Sequence, residues 1–136
     1  MSVKERYEHI QSVLLTAGGE GCLFLSLLSI AEEYTGRCLD FISCYTIATA
    51  NGCMDKNFYM NDQERLLNLL TGKTWKKEVM TKLPDPVPEP MYTIERWYND
   101  KTKFTHFKRR GFDTLINSNT VANGKLDCYY CYTVTG

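Results

Sequence analysis

The first third of the chain shows the periodicity of amphipathic and buried helices. Apolar residues at helical spacing predict a helix over residues 3–16, which Gly18 and Gly19 are expected to end. The apolar face of this helix is predicted to consist of Val3, Tyr7, Ile10 and Leu14. The run from Cys22 to Tyr34 is apolar almost all round and is followed by Gly36, which predicts a second helix at the centre of the fold.

Two further helices are predicted from the residues at their ends. Asp40 is a suitable N-cap for a helix from Phe41 to about Ala50. Asn61 and Glu64 have the spacing of a capping box before a leucine-rich helix, and Gly72 is expected to end that helix.

After Gly72 the pattern changes to that of strands and turns. Segments rich in β-branched and aromatic residues predict strands over residues 74–80, 91–98, 103–109, 112–116 and 126–134. The proline-rich segment 84–90 is predicted to be an extended surface connector.

The order of the elements indicates the fold class. Helices followed by strands predict an α+β fold, in which N-terminal helices pack on a C-terminal antiparallel sheet. We expect one domain over residues 1–136, with a helical part at about 1–72 and a strand-rich part at about 73–136. In the last strand, the face predicted to be buried consists of Leu126, Cys128, Tyr130, Tyr132 and Val134.

Composition narrows the class of protein. The chain has 136 residues, is 43% hydrophobic and carries no formal net charge, so we expect neither membrane association nor direct sequence-specific nucleic-acid binding. The N-terminus is charged, and the longest apolar run is too short to cross a bilayer. These features predict a cytoplasmic protein whose six cysteines are reduced.

Cys22 is the strongest candidate for a reactive residue. It directly follows Gly21 and is the first residue of the predicted central helix, where the helix dipole favours a thiolate. It also begins the least apolar stripe of that helix, which continues through Ser26, Ser29 and Glu33.

His106 is the candidate base. It lies on a predicted strand far downstream, and nucleophilic cysteine chemistry needs a base together with a group that orients it. If the strand turns at residues 110–111, Asp113 and Asn117 are both diagonal neighbours of His106, and the sequence leaves the choice between them open. The structural alternative is that Cys22 and His106 are core residues without chemistry.

Three segments carry a resemblance to a known family. Residues 21–28, 105–107 and 113–126 resemble a family of small, uncharacterised proteins of bacteriophages, prophages and plasmids. That family is similar to papain-like cysteine peptidases of the bacteriocin-processing type. The resemblance spans about residues 15–130 and implies a papain-like fold, Cys22 as nucleophile, His106 as its partner and the cytoplasm of a bacterial host.

The sequence departs from the papain-like pattern before the nucleophile. Enzymes of this type carry an oxyanion-hole glutamine about six residues upstream of the cysteine, where this chain has Thr16-Ala17-Gly18. Gln11 lies a full helix away from the expected place.

Other motifs suggest no cofactor or metal. Cys128 and Cys131 have the spacing of half a zinc site, but residues three apart in a regular strand point to opposite faces. No phosphate-binding glycine loop or metal-binding helix motif is present.

A compact basic cluster follows the candidate histidine. Lys108, Arg109 and Arg110 lie among aromatic residues, a composition typical of protein-interaction surfaces. We predict that these three residues bind a partner.

Two functions of different classes follow from the sequence. One is a small cysteine hydrolase that cleaves a peptide or amide bond through Cys22 and His106, with Asp113 or Asn117 orienting the imidazole. The other is a non-catalytic protein that inhibits a host defence system, such as an anti-CRISPR-like inhibitor of a nuclease complex. Its expected partner is a host protein or protein–nucleic-acid complex.

Overall fold

The computed structural model describes residues 2–88, 90–111 and 124–136. The elements in chain order are α1 (Val3–Glu20), α2 (Cys22–Thr35), α3 (Phe41–Ala50), α4 (Gln63–Thr71), β1 (Trp75–Met80), β2 (Met91–Tyr98), β3 (Thr105–Arg109) and β4 (Lys125–Val134). The predicted α+β class is confirmed, with the helices preceding the strands. The predicted strand over 112–116 lies outside the described residues.

The four described strands form one antiparallel sheet in the order β1-β4-β2-β3. β3 is therefore an edge strand among them. A register shift between Arg96 and Trp97 interrupts the pairing of β2 with β4. This arrangement leaves the outer edge of β3 open to contact from α2.

Local end signals set most of the helix boundaries. The Asp40 carboxylate accepts a hydrogen bond of 2.8 Å from the Ser43 amide and caps α3 as predicted. Gly36 and Gly72 adopt the left-handed conformation after α2 and α4, with φ of +67° and +72°.

Two predicted helix ends were wrong. α1 continues through Gly18 and Gly19 to Glu20, because the chain changes direction at Gly21 and makes no turn at the two earlier glycines. The N-cap of α4 is Asp62, which accepts a 3.0 Å bond from the Arg65 amide, whereas the Asn61 amide donates to the Cys53 carbonyl at 2.7 Å. Either residue suits an N-cap chemically, and the amides of both donate to the Cys53 carbonyl; the Asp62 side chain is the one that reaches the helix amide.

The core surrounds α2, as its apolar character predicted. The apolar and aromatic side chains of α2, α4 and the sheet that have no exposed surface are Phe24, Leu27, Ile30, Ala31, Leu66, Leu67, Ile94 and Tyr132. α1 contributes less than its predicted apolar face suggested, because Val3 and Ile10 are exposed while Val13 is buried. Tyr7 and Leu14 have no described side chains.

β4 presents part of the predicted face to the core, and Leu126 and Cys128, next to the register shift, are not part of the core cluster. Tyr132 is completely buried, and Tyr130 and Val134 pack against the same cluster. On the opposite face, Cys131 is also buried beside its register partner Thr93, so burial in this strand is not restricted to one face. Burial raises the pKa of the Cys131 thiol.

Candidate active site

Cys22 is the first residue of α2, and its side chain is 8% exposed. The N-cap residue Gly21 supplies no side-chain bond, and its carbonyl accepts from the Leu25 amide at 2.9 Å. Cys22 therefore lies at the positive end of the helix dipole. This is an environment that stabilises a thiolate.

The polar stripe of α2 faces β3. The Ser26 hydroxyl donates to the Cys22 carbonyl at 2.8 Å and is completely buried. One turn further on, Ser29 and Glu33 accept hydrogen bonds from Arg109 of β3. The least apolar stripe of α2 is thus the surface by which the helix packs on this strand.

The structure brings Cys22 next to His106. The backbone amide of Phe107 donates to the Cys22 sulfur at an N–S distance of 3.5 Å. That nitrogen is bonded to the carbonyl carbon of His106, so the thiol lies beside the histidine backbone. Cys22 thus lies against the strand that carries His106, and the pairing of their side chains stays a prediction.

The His106 imidazole is buried on the edge strand. Its exposure is 3%, and Nε2 has no hydrogen-bond partner among the described residues. Burial lowers the pKa of His106, which favours the neutral imidazole that a general base requires. His106 pairs with Trp97 in register, and alternation places its side chain on the face opposite Phe107 and Arg109. Arg109 contacts α2 from its own face of β3, so the imidazole projects from the face turned away from that contact.

The two residues predicted to orient His106 cannot be placed. Asp113 and Asn117 both lie outside the described residues, so the choice between them stays open.

Cys22 lines a cleft with a volume of about 850 Å³. One wall comes from the loop before α4 and the other from the β2–β3 hairpin. The other lining residues are Leu23, Asn57, Phe58, Tyr59, Met60, Gln63, Arg96, Lys103, Phe104, Thr105, Phe107 and Tyr130. Cys22 is therefore part of the wall of a concave site, the kind of site that binds ligands.

Sequence reasoning missed the residues of the cleft walls. Gln63, the first residue of α4, lines the cleft, and its side-chain oxygen accepts a hydrogen bond from the Tyr132 hydroxyl. The aromatic pair Phe58-Tyr59 between two helices is the sequence signal that could have drawn attention to this loop.

The structure separates the predicted basic cluster. Arg109 is 6% exposed and donates to the Ser29 hydroxyl at 2.8 Å and to the Glu33 carboxylate, so it is not available to a partner. Lys108 faces the other side of β3, where it lies 3.7 Å from Glu95. Only Arg110 is exposed. The physical reason is strand alternation, which directs consecutive side chains to opposite faces.

Within residues 2–88, 90–111 and 124–136, no three His, Cys, Asp or Glu side chains converge as metal ligands. None of the helices there is long and apolar enough to cross a membrane.

The burial of His106 predicts an acid-sensitive stability. Burial holds the pKa of His106 below that of the unfolded chain, so as the pH falls below about 6.5 the unfolded state binds its proton first. The free energy of unfolding then decreases by at most about 1.4 kcal/mol per pH unit, and it is unaffected by this group above that pH. Urea unfolding between pH 7.5 and 5 measures the slope.

Histidine variants provide the controls for this prediction. The chain has two histidines, and the second, His9, is exposed on α1. We expect His106→Gln to remove the slope near pH 6 and His9→Gln to retain it. The same slope in the wild type and in His106→Gln would contradict a buried, neutral imidazole.

Comparison of the chain with protein families, with curated proteins and with solved structures finds no match.

Proposed function

We propose that this protein is a small cysteine hydrolase of papain-like arrangement that cleaves a peptide or amide bond. The observation that carries the proposal is the contact between the Phe107 amide and the Cys22 sulfur. This contact holds a cysteine at a helix N-terminus, in the lining of a cleft, against the backbone of the strand that carries the buried His106.

The proposed mechanism uses Cys22 as nucleophile and His106 as proton carrier. His106 takes the proton of the Cys22 thiol, and the thiolate attacks the carbonyl carbon, so that a carbon–sulfur bond forms. The carbon–nitrogen bond then breaks, and the amine leaves with the proton that His106 carries. Water attacks the thioester and gives a proton to His106, the carbon–sulfur bond breaks to release the carboxylic acid, and the proton returns to the Cys22 thiolate.

The oxyanion of the tetrahedral intermediate would form near the first amides of α2. The Cys22 amide, at the first position of α2, is one candidate donor. Gln63 provides a side-chain amide in the same cleft, whereas the residues upstream of Cys22 include no glutamine at the papain-like position.

The proposal includes the origin and location of the protein. The resemblance of residues 21–28 and 105–107 to small phage, prophage and plasmid proteins supports a mobile-element protein acting in the bacterial cytoplasm. The order of helices and strands is compatible with a papain-like domain.

Thiol labelling tests the proposal. At neutral pH, we expect iodoacetamide to modify Cys22 at least about tenfold faster than Cys38, because only an activated thiol can outpace one that is more exposed. Cys44 and Cys53, whose pKa values are raised by burial, are expected to react slowest. Mass spectrometry of peptides over a time course gives the rates.

Two variants complete the labelling experiment. His106→Gln should slow the modification of Cys22, and His9→Gln should leave it unchanged. A Cys22 rate at or below that of Cys38 would exclude the hydrolase.

A second candidate is a non-catalytic inhibitor of a host defence complex. The exposed aromatic side chains of Tyr59 and Phe104, 72% and 64% accessible, support it because they could contact a protein partner. Cys22→Ala separates the candidates, since it abolishes the activity of a hydrolase and leaves that of an inhibitor intact. Arg110→Glu is the suitable charge variant for the inhibitor, because Arg109 is buried.

A further inference from the structure

Two strained turns converge on the cleft that contains Cys22. Among the described residues, Phe58 and Lys103 are the non-glycine positions with a left-handed backbone, at φ of +69° and +63°. Both line this cleft, on different walls. Left-handed backbone is costly for residues with a side chain, and it persists where the surrounding structure holds it for a purpose.

The turn at Phe58 is held from both sides. Its ring is 4% exposed and packs on Phe24 and Tyr45, with ring centroids 5.5 and 5.3 Å away. The Asp55 carboxylate accepts the amides of Asn57 and Tyr59 at 2.8 and 3.1 Å. This turn keeps the Tyr59 side chain exposed at the cleft.

The turn at Lys103 is also held in place, in this case by hydrogen bonds to Asn99. The Lys103 amide donates to the Asn99 carbonyl at 2.8 Å, and the Asn99 amide donates to the Phe104 carbonyl at 3.0 Å. The Asn99 side chain also accepts from the amides of Lys101 and Thr102. This turn keeps the Phe104 side chain exposed at the cleft.

The charged side chains that line the cleft are all basic. Its described lining contains Lys103 and Arg96 and no carboxylate. Arg96 forms a salt bridge with Asp127, whereas Lys103 forms none with the described residues. Lys103 thus provides a positive charge beside an apolar floor that includes Leu23, Phe107 and Tyr130.

We propose that this cleft binds an extended peptide in which an acidic residue adjoins a large apolar or aromatic one. The apolar side chain packs between the two exposed rings of Tyr59 and Phe104, and the carboxylate pairs with Lys103. The volume of about 850 Å³ lies within the range of sites that enclose a ligand of several groups. This inference names the substrate class of the proposed hydrolase, and as a substrate assignment it rests on the proposed function.

Peptide binding to the Cys22→Ala variant tests the inference without any chemistry at the thiol. The probe is fluorescein-labelled Gly-Glu-Phe-Glu-Gly, with Gly-Lys-Phe-Lys-Gly and Gly-Glu-Ala-Glu-Gly as matched peptides. By fluorescence polarisation we expect the first peptide to bind at least about tenfold more tightly than either of the others, since tenfold corresponds to one good interaction. Equal binding of the three, or no binding of any, would overturn the inference.

Two lysine variants test which side chain binds the carboxylate of the peptide. Lys103→Glu should abolish the preference for glutamate over lysine, whereas Lys101→Glu, exposed in the same turn and outside the cleft lining, should preserve it. A preference that survives Lys103→Glu would assign the acidic recognition elsewhere. The outcome is independent of iodoacetamide labelling in the wild type, so failure of the peptide preference and failure of the hydrolase are distinguishable.

Discussion

Replacing Phe24 by alanine is expected to lower the free energy of unfolding by about 3–5 kcal/mol. Phe24 has no exposed surface, and its ring lies 5.5 Å from both Phe41 and Phe58. The substitution removes a large apolar side chain from the centre of the core and leaves a cavity between α2, α3 and the loop before α4. Urea unfolding, with the midpoint and slope compared with the wild type, measures the loss.

Leu69→Ala is the matched control on a neighbouring helix. Leu69 is 44% exposed on α4, so its truncation should change the free energy of unfolding by no more than about 0.5 kcal/mol. If Phe24→Ala fails to fold, Phe24→Leu retains most of the apolar area and should give a smaller loss. A loss from Phe24→Ala no larger than that of Leu69→Ala would contradict the placement of α2 at the centre.

The same substitution links the core to the cleft. Phe24 supports Phe58, whose left-handed backbone shapes one cleft wall. Residue type gives no warning of this conformation, because phenylalanine rarely adopts it and tertiary packing imposes it here. For the same reason the sequence did not predict the walls of the cleft.

Predictions that depended on neighbouring residues were the most reliable. The Asp40 cap and the end of α4 at Gly72 involve groups within one helical turn, so local chemistry decides them. The end of α1 and the cap of α4 depend instead on where the chain turns in space. Gly18 and Gly19 permit a turn that the fold makes at Gly21.

The candidate site was partly predictable because chain order and dipole chemistry are visible in a sequence. A cysteine at a helix start and a histidine on a later strand are positions that sequence can identify, and the structure places Cys22 beside the backbone of His106. The function of three consecutive basic residues was not predictable, because strand direction and helix packing assign each of them a different environment. Arg109 is the clearest example.

Replacing Arg109 by alanine is expected to lower the free energy of unfolding by about 2–4 kcal/mol. Arg109 is buried, and its loss removes bonds to the Ser29 hydroxyl and to the Glu33 carboxylate. The Glu33 side chain is half exposed and can regain water, which keeps the cost below that of a fully buried pair. Arg110→Ala, one residue further and exposed, should change stability by no more than about 0.5 kcal/mol.

Arg109 also holds the stripe of α2 that begins with Cys22 against β3. Its loss should therefore slow iodoacetamide labelling of Cys22 under conditions where the variant remains folded, because the thiol is no longer fixed at the Phe107 amide. Urea unfolding and labelling of the same samples measure both effects, with Arg110→Ala as the control for each. Equal stability of the two arginine variants would mean that the basic residues of this strand act together at the surface. Unequal stability, with slower labelling in Arg109→Ala alone, would make Arg109 the residue that positions the proposed nucleophile.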